Sequence, residues 1–190
     1  MVERARDERT SVLDALAAGG SVLPGAEADA LLEASSHGVG PIEELLARRL
    51  TGEPLAWIVG WVRFCDARVR VDPGVFVPRP QTEALARRAV ALLPADGIAI
   101  DLCAGSGAVA VVLATARPRA TVIATDVDPA AVACARRNGV EALMGDLDEP
   151  LPPALRRSVD VVTAVVPYVP TGELHLLPRD VLAHEPRRAL

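Results

Sequence analysis

Apolar positions change their period along this chain, and the changes divide it. Over residues 1–52 they recur at helical spacing. Thr10 or Ser11 can cap a helix that runs through Leu16 and stops at Gly19-Gly20. Residues 27–33 carry Ala and Leu at helical intervals, and residues 35–40 break the pattern. Pro41 suits a first helical position ahead of Ile42, Leu45, Leu46 and Leu50, a stripe of period 3.6 that serves as the core face of a small bundle. From Trp57 the reading turns to strands. Residues 57–64 and 69–71 predict a hairpin that turns near Cys65, Asp66 and Ala67. Asp72-Pro73-Gly74 is a turn, and residues 75–80 stay extended because each proline restricts the residue before it. A helix follows from about Pro80 to Leu93. Then come strand 98–102, helix 107–116, strand 121–125, helix 129–138, strand 140–144 and strand 159–165. This alternation predicts an α/β fold with right-handed crossovers and a doubly wound parallel sheet. The expected division is a helical domain over residues 1–54, a β-hairpin linker over 55–74 and the α/β domain over 75–190.

Composition adjusts this picture in three places. Aromatic residues make up only 3% of the chain, so its apolar half must build a core from Ala, Val and Leu. All 20 basic residues are arginine, and the net charge of −5 argues against a general nucleic-acid binder, which needs a basic face. Cys65, Cys103 and Cys134 are scattered without metal-ligand spacing and read as reduced thiols of a cytosolic protein. The first nine residues are charged throughout rather than signal-like, and the apolar runs fall well short of the ~20 residues of a membrane span. A soluble, cytoplasmic protein is expected.

The candidate chemistry gathers at residues 98–107. A short apolar strand ends in Asp101 and turns through a small-residue loop, the arrangement that feeds a ligand crevice at the carboxyl edge of a parallel sheet. Gly105-Ser106-Gly107-Ala108-Val109-Ala110 matches the dinucleotide fingerprint loosely. A carboxylate at Asp101 would repel a diphosphate but could hold an ammonium group. Asp126 ends the next strand, where it can accept both hydroxyls of a ribose. Asp146 follows the third strand, placed to meet the exocyclic amine of an adenine. A cationic ligand with ribose and adenine fits this set, which is S-adenosylmethionine. The alternatives are that Asp126 and Asp128 cap the following helix, that Asp146 is a turn residue, or that the chain is a nucleotide-dependent oxidoreductase.

Several motifs in order resemble the HemK family, the protein-(glutamine-N5) methyltransferases that modify peptide-chain release factors. They are Arg48-Arg49-Leu50-Thr51-Gly52-Glu53-Pro54-Leu55, Phe76-Val77-Pro78-Arg79-Pro80-Gln81-Thr82-Glu83 and Asp101-Leu102-Cys103-Ala104-Gly105-Ser106-Gly107. Val122-Ile123-Ala124-Thr125-Asp126-Val127-Asp128-Pro129, Gly145-Asp146-Leu147, Pro167-Tyr168-Val169-Pro170 and His184-Glu185-Pro186-Arg187 complete the series. The resemblance covers most of residues 40–190. It implies a Rossmann-like class I S-adenosylmethionine-dependent methyltransferase domain, preceded by a helical domain that meets the protein substrate. It further implies cofactor-binding roles for Thr82, Asp101, Ala104, Gly105, Gly107, Asp126 and Asp146, with no metal. The loop around Pro78–Glu83 would pack near the cofactor and acceptor pocket, although Arg79 and Glu83 also read as a pair that fixes a helix start. Val166, Pro167 and Tyr168 would form the acceptor site. There the chain departs from the family, which carries Asn-Pro-Pro-Tyr where Val165-Val166-Pro167-Tyr168 stands. The expected partner is a release factor-like protein with a glutamine-bearing loop, with no membrane and no direct nucleic-acid contact. The family's sheet has more strands than this chain supplies, so a fragment with an incomplete sheet is expected.

Overall fold

The computed structural model describes residues 2–177 and 179–190. Four helices open the chain: α1 (Val2–Ala18), α2 (Pro24–Ser36), α3 (Ile42–Leu50) and α4 (Leu55–Val59). Val12, Leu16, Ala28, Leu31, Ala34, Ile42, Leu45, Ile58 and Val59 close over one another as their core. Each large aliphatic side chain buried there contributes about 1.5–3 kcal/mol. Helix α1 begins well before the expected Thr10 or Ser11. Thr10 does not cap; its hydroxyl donates back to the Arg6 carbonyl at 2.9 Å. Pro41 lies one place outside α3, in an extended conformation.

The strand expected from Trp57 begins only at Trp61, because residues 55–59 form the short helix α4. Ala56, Trp57, Ile58 and Val59 are all buried, so the run carries no period that would separate strand from helix. Gly60, at φ 84°, ends the helix in the left-handed conformation. Strands β1 (Trp61–Phe64) and β2 (Ala67–Arg70) then pair antiparallel, with Phe64 opposite Ala67. That register leaves Cys65 and Asp66 alone in the turn, at φ 46° and 65°, as a two-residue hairpin of the right twist requires. The second strand therefore starts earlier than residue 69 and ends at Arg70.

Four parallel strands follow: β3 (Ile98–Leu102), β4 (Thr121–Asp126), β5 (Glu141–Met144) and β6 (Val161–Ala164), in the order β5-β4-β3-β6. Helix α5 (Glu83–Leu92) packs on β6, α6 (Ala108–Ala116) on β3 and β4, and α7 (Pro129–Arg137) on β4 and β5. Small side chains make this packing close, and Phe64 of the hairpin is the one aromatic ring in the buried cluster. The chain runs outward from β3 through β4 to β5, then returns to place β6 on the other side of β3. Strand order thus reverses at β3, and the crevice beyond its carboxyl end is where such sheets take ligands. Among the described residues β6 pairs only with β3, and Val162 on it is 58% exposed. Helix α8 (Arg179–His184) lies near the end of the chain. No helix among the described residues is long and apolar enough to cross a membrane.

Candidate functional site

The loop after β3 is held open by three residues with positive φ: Cys103 at 54°, Gly105 at 56° and Gly107 at 77°. The Ala104 N–H donates to the Thr125 carbonyl at 3.1 Å, which carries the β3–β4 ladder two residues past the strand. The Gly107 N–H closes the turn onto the Ala104 carbonyl at 2.8 Å, and α6 starts at the next residue. A Cβ on Gly107 would stand 3.0 Å from the Ala135 Cβ, so this glycine lets the loop approach α7. Gly107 does not line the cavity beside the loop, contrary to its expected place among the cofactor-binding residues. Gly105 does, and a Cβ added to it meets only open space.

That cavity, of about 350 Å³, lies against the carboxyl ends of all four parallel strands. Thr82, Asp101, Ala104, Gly105, Asp126 and Asp146 line it, and so do Val165, Val166, Pro167 and Tyr168. Residues predicted from separate motifs therefore share one cavity. Asp101 is the most enclosed, at 2% exposure. Its Oδ1 accepts the Thr163 hydroxyl at 2.7 Å and its Oδ2 accepts the Ala110 N–H at 3.3 Å. Burial pushes its carboxyl up to about 7, against the pull of those two donors, and the nearby charge of Asp126 adds to the rise. The ammonium-holding group expected there is thus a carboxyl already tied into the sheet.

Asp126 takes two backbone donors. Its Oδ2 accepts the Gly105 N–H and its Oδ1 the Asp128 N–H, both at 2.9 Å. Asp128, not Asp126, caps α7, by accepting the Ala130 N–H at 2.9 Å. Asp146 is exposed on the turn after β5. The Thr125 hydroxyl fixes that turn through the Leu147 carbonyl at 2.8 Å, and the Gly145 N–H donates to the Asp126 carbonyl at 3.1 Å. Asp101, Asp126, Asp128 and Asp146 face two lining arginines, Arg79 and Arg188. Burial also raises the Cys103 thiol, and the neighbouring carboxylates add to that rise.

On the other side of the cavity, the string 165–168 leaves β6. The Tyr168 and Val169 N–H groups donate to the Leu190 carbonyl at 3.1 and 2.8 Å, so the string is tied to the far end of the chain. Tyr168 is 75% exposed. Arg79 does not pair with Glu83, as one reading of the helix start had it. Glu83 pairs with Arg87 at 2.7 Å, and Arg79 donates to Glu185 at 2.6 Å.

Some contributors had no sequence signal strong enough to single them out. Asn138 follows α7, accepts the Arg70 N–H, and donates to the carbonyls of Arg70 and Ser106, each at 2.9 Å. One side chain thus joins the hairpin to the glycine loop. Thr163 carries only a strand pattern in the sequence. Phe64 carries no more than that, and Phe76 opens the motif that runs to Glu83 without a role of its own. With Tyr168 these two make three of the chain's five aromatic residues, and all three line the cavity. Ser106 is buried, and its hydroxyl has no partner among the described residues.

The family described as "Methyltransferase domain" matches residues 99–183, from β3 into α8. The release factor glutamine methyltransferase of Mycolicibacterium smegmatis is 41% identical over 197 residues, covering 92% of this chain and 69% of that protein. The enzyme of the same name from Neisseria gonorrhoeae is 41% identical over 155 residues, covering 78% and 56%. The 4-amino-L-phenylalanine/4-methylamino-L-phenylalanine methyltransferase of Streptomyces pristinaespiralis is 41% identical over 154 residues, covering 75% and 52%. The chain therefore spans between about half and about two-thirds of the length of these relatives.

Proposed function

This chain belongs to the family of release factor glutamine methyltransferases, and we propose that it binds S-adenosylmethionine at the carboxyl ends of β3, β4 and β5. It would direct the methyl group to the side-chain amide nitrogen of a glutamine in a release factor-like protein. Its sheet has the Rossmann-like methyltransferase arrangement that the sequence predicts. The observation that carries the reading is one cavity that joins three aspartates at the strand ends, and Asp128 at the start of α7, to the 165–168 string.

The residues present fit the cofactor. Four carboxyls against two guanidiniums favour a cation, and about 350 Å³ suits a molecule of nucleoside size. Gly105 offers backbone with no side chain in the way, and the Ser106 hydroxyl still needs a partner. Each Asp126 oxygen already accepts one backbone N–H, which fixes the carboxylate and leaves a lone pair on each oxygen for the ribose hydroxyls. Asp146 would accept from the adenine amine. Asp101, when ionised, would attract the α-ammonium group from behind the loop. Bound S-adenosylmethionine supplies an electrophilic methyl on a sulfonium, whose carbon–sulfur bonding pair leaves with the sulfur.

The protein's own task is to position the acceptor. An amide nitrogen is a weak nucleophile because its lone pair is delocalised. Hydrogen-bond acceptors that orient its N–H groups aim that lone pair at the methyl carbon. As the new N–C bond forms, the nitrogen releases a proton to solvent. The Val166 carbonyl can accept one amide N–H, and the Tyr168 ring offers a flat face to a planar carboxamide. The Val165 side chain has no acceptor to offer. That one feature favours a second reading, an acceptor whose nitrogen lone pair is more available than an amide's, such as the 4-amino group named for the Streptomyces pristinaespiralis relative.

Two measurements test the proposal. Titration calorimetry with S-adenosylhomocysteine and with NADH decides the cofactor, and binding of NADH alone refutes it. Methyl-labelled S-adenosylmethionine with a release factor decides the acceptor. Label on its glutamine supports the first reading. Cofactor binding with label on 4-amino-L-phenylalanine and none on the release factor supports the second.

A further inference from the structure

We infer that the Arg79–Glu185 ion pair is a positioning device for the acceptor side of the cavity, a role that rests on the methyl-transfer reading above. The pair joins segments that lie 106 residues apart, the extended loop before α5 and the strap of residues 185–190 after α8. The Glu185 side chain is only 2% exposed, and the Arg79 guanidinium reaches it there as a charged partner. The same guanidinium lies 4.7 Å over the Phe76 ring, which lines the cavity. Arg79 thus grips the strap with one end of its fork while its plane holds an aromatic wall.

What the strap touches gives the pair its consequence. Pro186, Arg188 and Ala189 line the cavity. Arg188 reaches to 4.0 Å from the Asp128 carboxylate at the cofactor side. At its far end, the Leu190 carbonyl takes the Tyr168 and Val169 N–H groups. The acceptor string is therefore held by a strap whose near end is fixed by Arg79. Arg79 also lines a second cavity of about 290 Å³, shared with Trp61 of β1 and Val181 of α8, so this residue borders both. Arg79 is a positioning residue here: it orders the wall against which the acceptor rests and takes no part in bond making.

The test uses the purified chain and three variants: Arg79→Gln, Glu185→Gln and the exchanged pair R79E/E185R. Backbone hydrogen exchange at Tyr168 and Val169 reads the strap without any activity. Arg79→Gln and Glu185→Gln should each speed exchange at those two amides about tenfold. Each should raise the KM for the acceptor about tenfold while changing the Kd for S-adenosylhomocysteine less than about twofold. The exchanged pair should recover part of both losses. Unchanged exchange at 168 and 169 in Arg79→Gln overturns the inference. So does parallel loss of S-adenosylhomocysteine binding or of folding in both single variants, which would make the pair a general strut. A wild-type chain that methylates nothing refutes the functional reading alone, because the exchange measurement still decides the strap.

Discussion

Asp101 makes stability depend on pH in a direction opposite to most carboxylates. Its carboxyl is enclosed between β3, β6 and the first turn of α6, and burial raises it from 3.8 to about 7. In the unfolded chain the group ionises at its ordinary value, so between the two values the folded protein holds a proton that the unfolded chain has lost. Stability is full at the acid end of that window, falls as pH rises through it, and levels off above about 7. A gap of roughly three units corresponds to about 4 kcal/mol across the whole window, and about 2–3 kcal/mol of it falls between pH 5 and 7. Asp101→Asn removes the titration and keeps an oxygen for the Thr163 hydroxyl. Urea unfolding of both proteins at pH 5, 6, 7 and 8 isolates the effect, since every other titrating group is common to the pair. The wild type should lose about 2–3 kcal/mol relative to the variant between pH 5 and 7, then run parallel to it. Parallel curves from pH 5 upward would refute the reasoning. A cationic ligand should favour the ionised form, so S-adenosylmethionine should bind more tightly as pH rises towards 7.

Three further outcomes are expected. Val165→Asn, which adds a side-chain acceptor beside the Val166 carbonyl, should raise glutamine methylation by about 10²–10³, measured with labelled cofactor and a release factor; equal rates in both proteins would remove any orienting role for that position. Gly107→Ala puts a side chain at φ 77° and 3.0 Å from Ala135, and should destabilise the fold by about 2–4 kcal/mol in urea melts. Asn138→Ala leaves the Arg70 and Ser106 backbone groups without their partner and should cost about 1–3 kcal/mol; a change within error would show that water replaces the amide without loss.

The α/β half was legible because its elements alternate with clear breaks. β3 is found at the expected residues 98–102, and β4, α6 and α7 fall within a residue or so of their expected bounds. Residues 55–59 were not, because an apolar run buried on every side has no polar face to reveal its period. The start of α1 was hidden in the same way by a charged stretch with no apolar stripe. At the site, strand-end carboxylates are visible in a sequence, since a residue that ends a strand must sit at the sheet's edge. Their partners are not. Thr163 reaches Asp101 across 62 residues and Glu185 reaches Arg79 across 106, and no local pattern encodes such a meeting. Gly107 shows the converse: a loop glycine whose motif suggests a ligand and whose surroundings call for close packing instead.

The placement of the few aromatic residues has an optical consequence. Tyr168, the one tyrosine, stands on the acceptor string, and neither tryptophan lines the cavity. Trp57 instead donates its indole N–H to the Val75 carbonyl at 2.9 Å, and Trp61 lies under the Arg68 guanidinium at 3.9 Å, both at the seam between the helical bundle and the hairpin and loop that follow it. The molecule thus carries two spectrally separable reporters, one for the reacting end of the cavity and one for the seam. Tyrosine absorbance would follow acceptor docking while tryptophan emission followed any shift of the bundle, with no label introduced at either place.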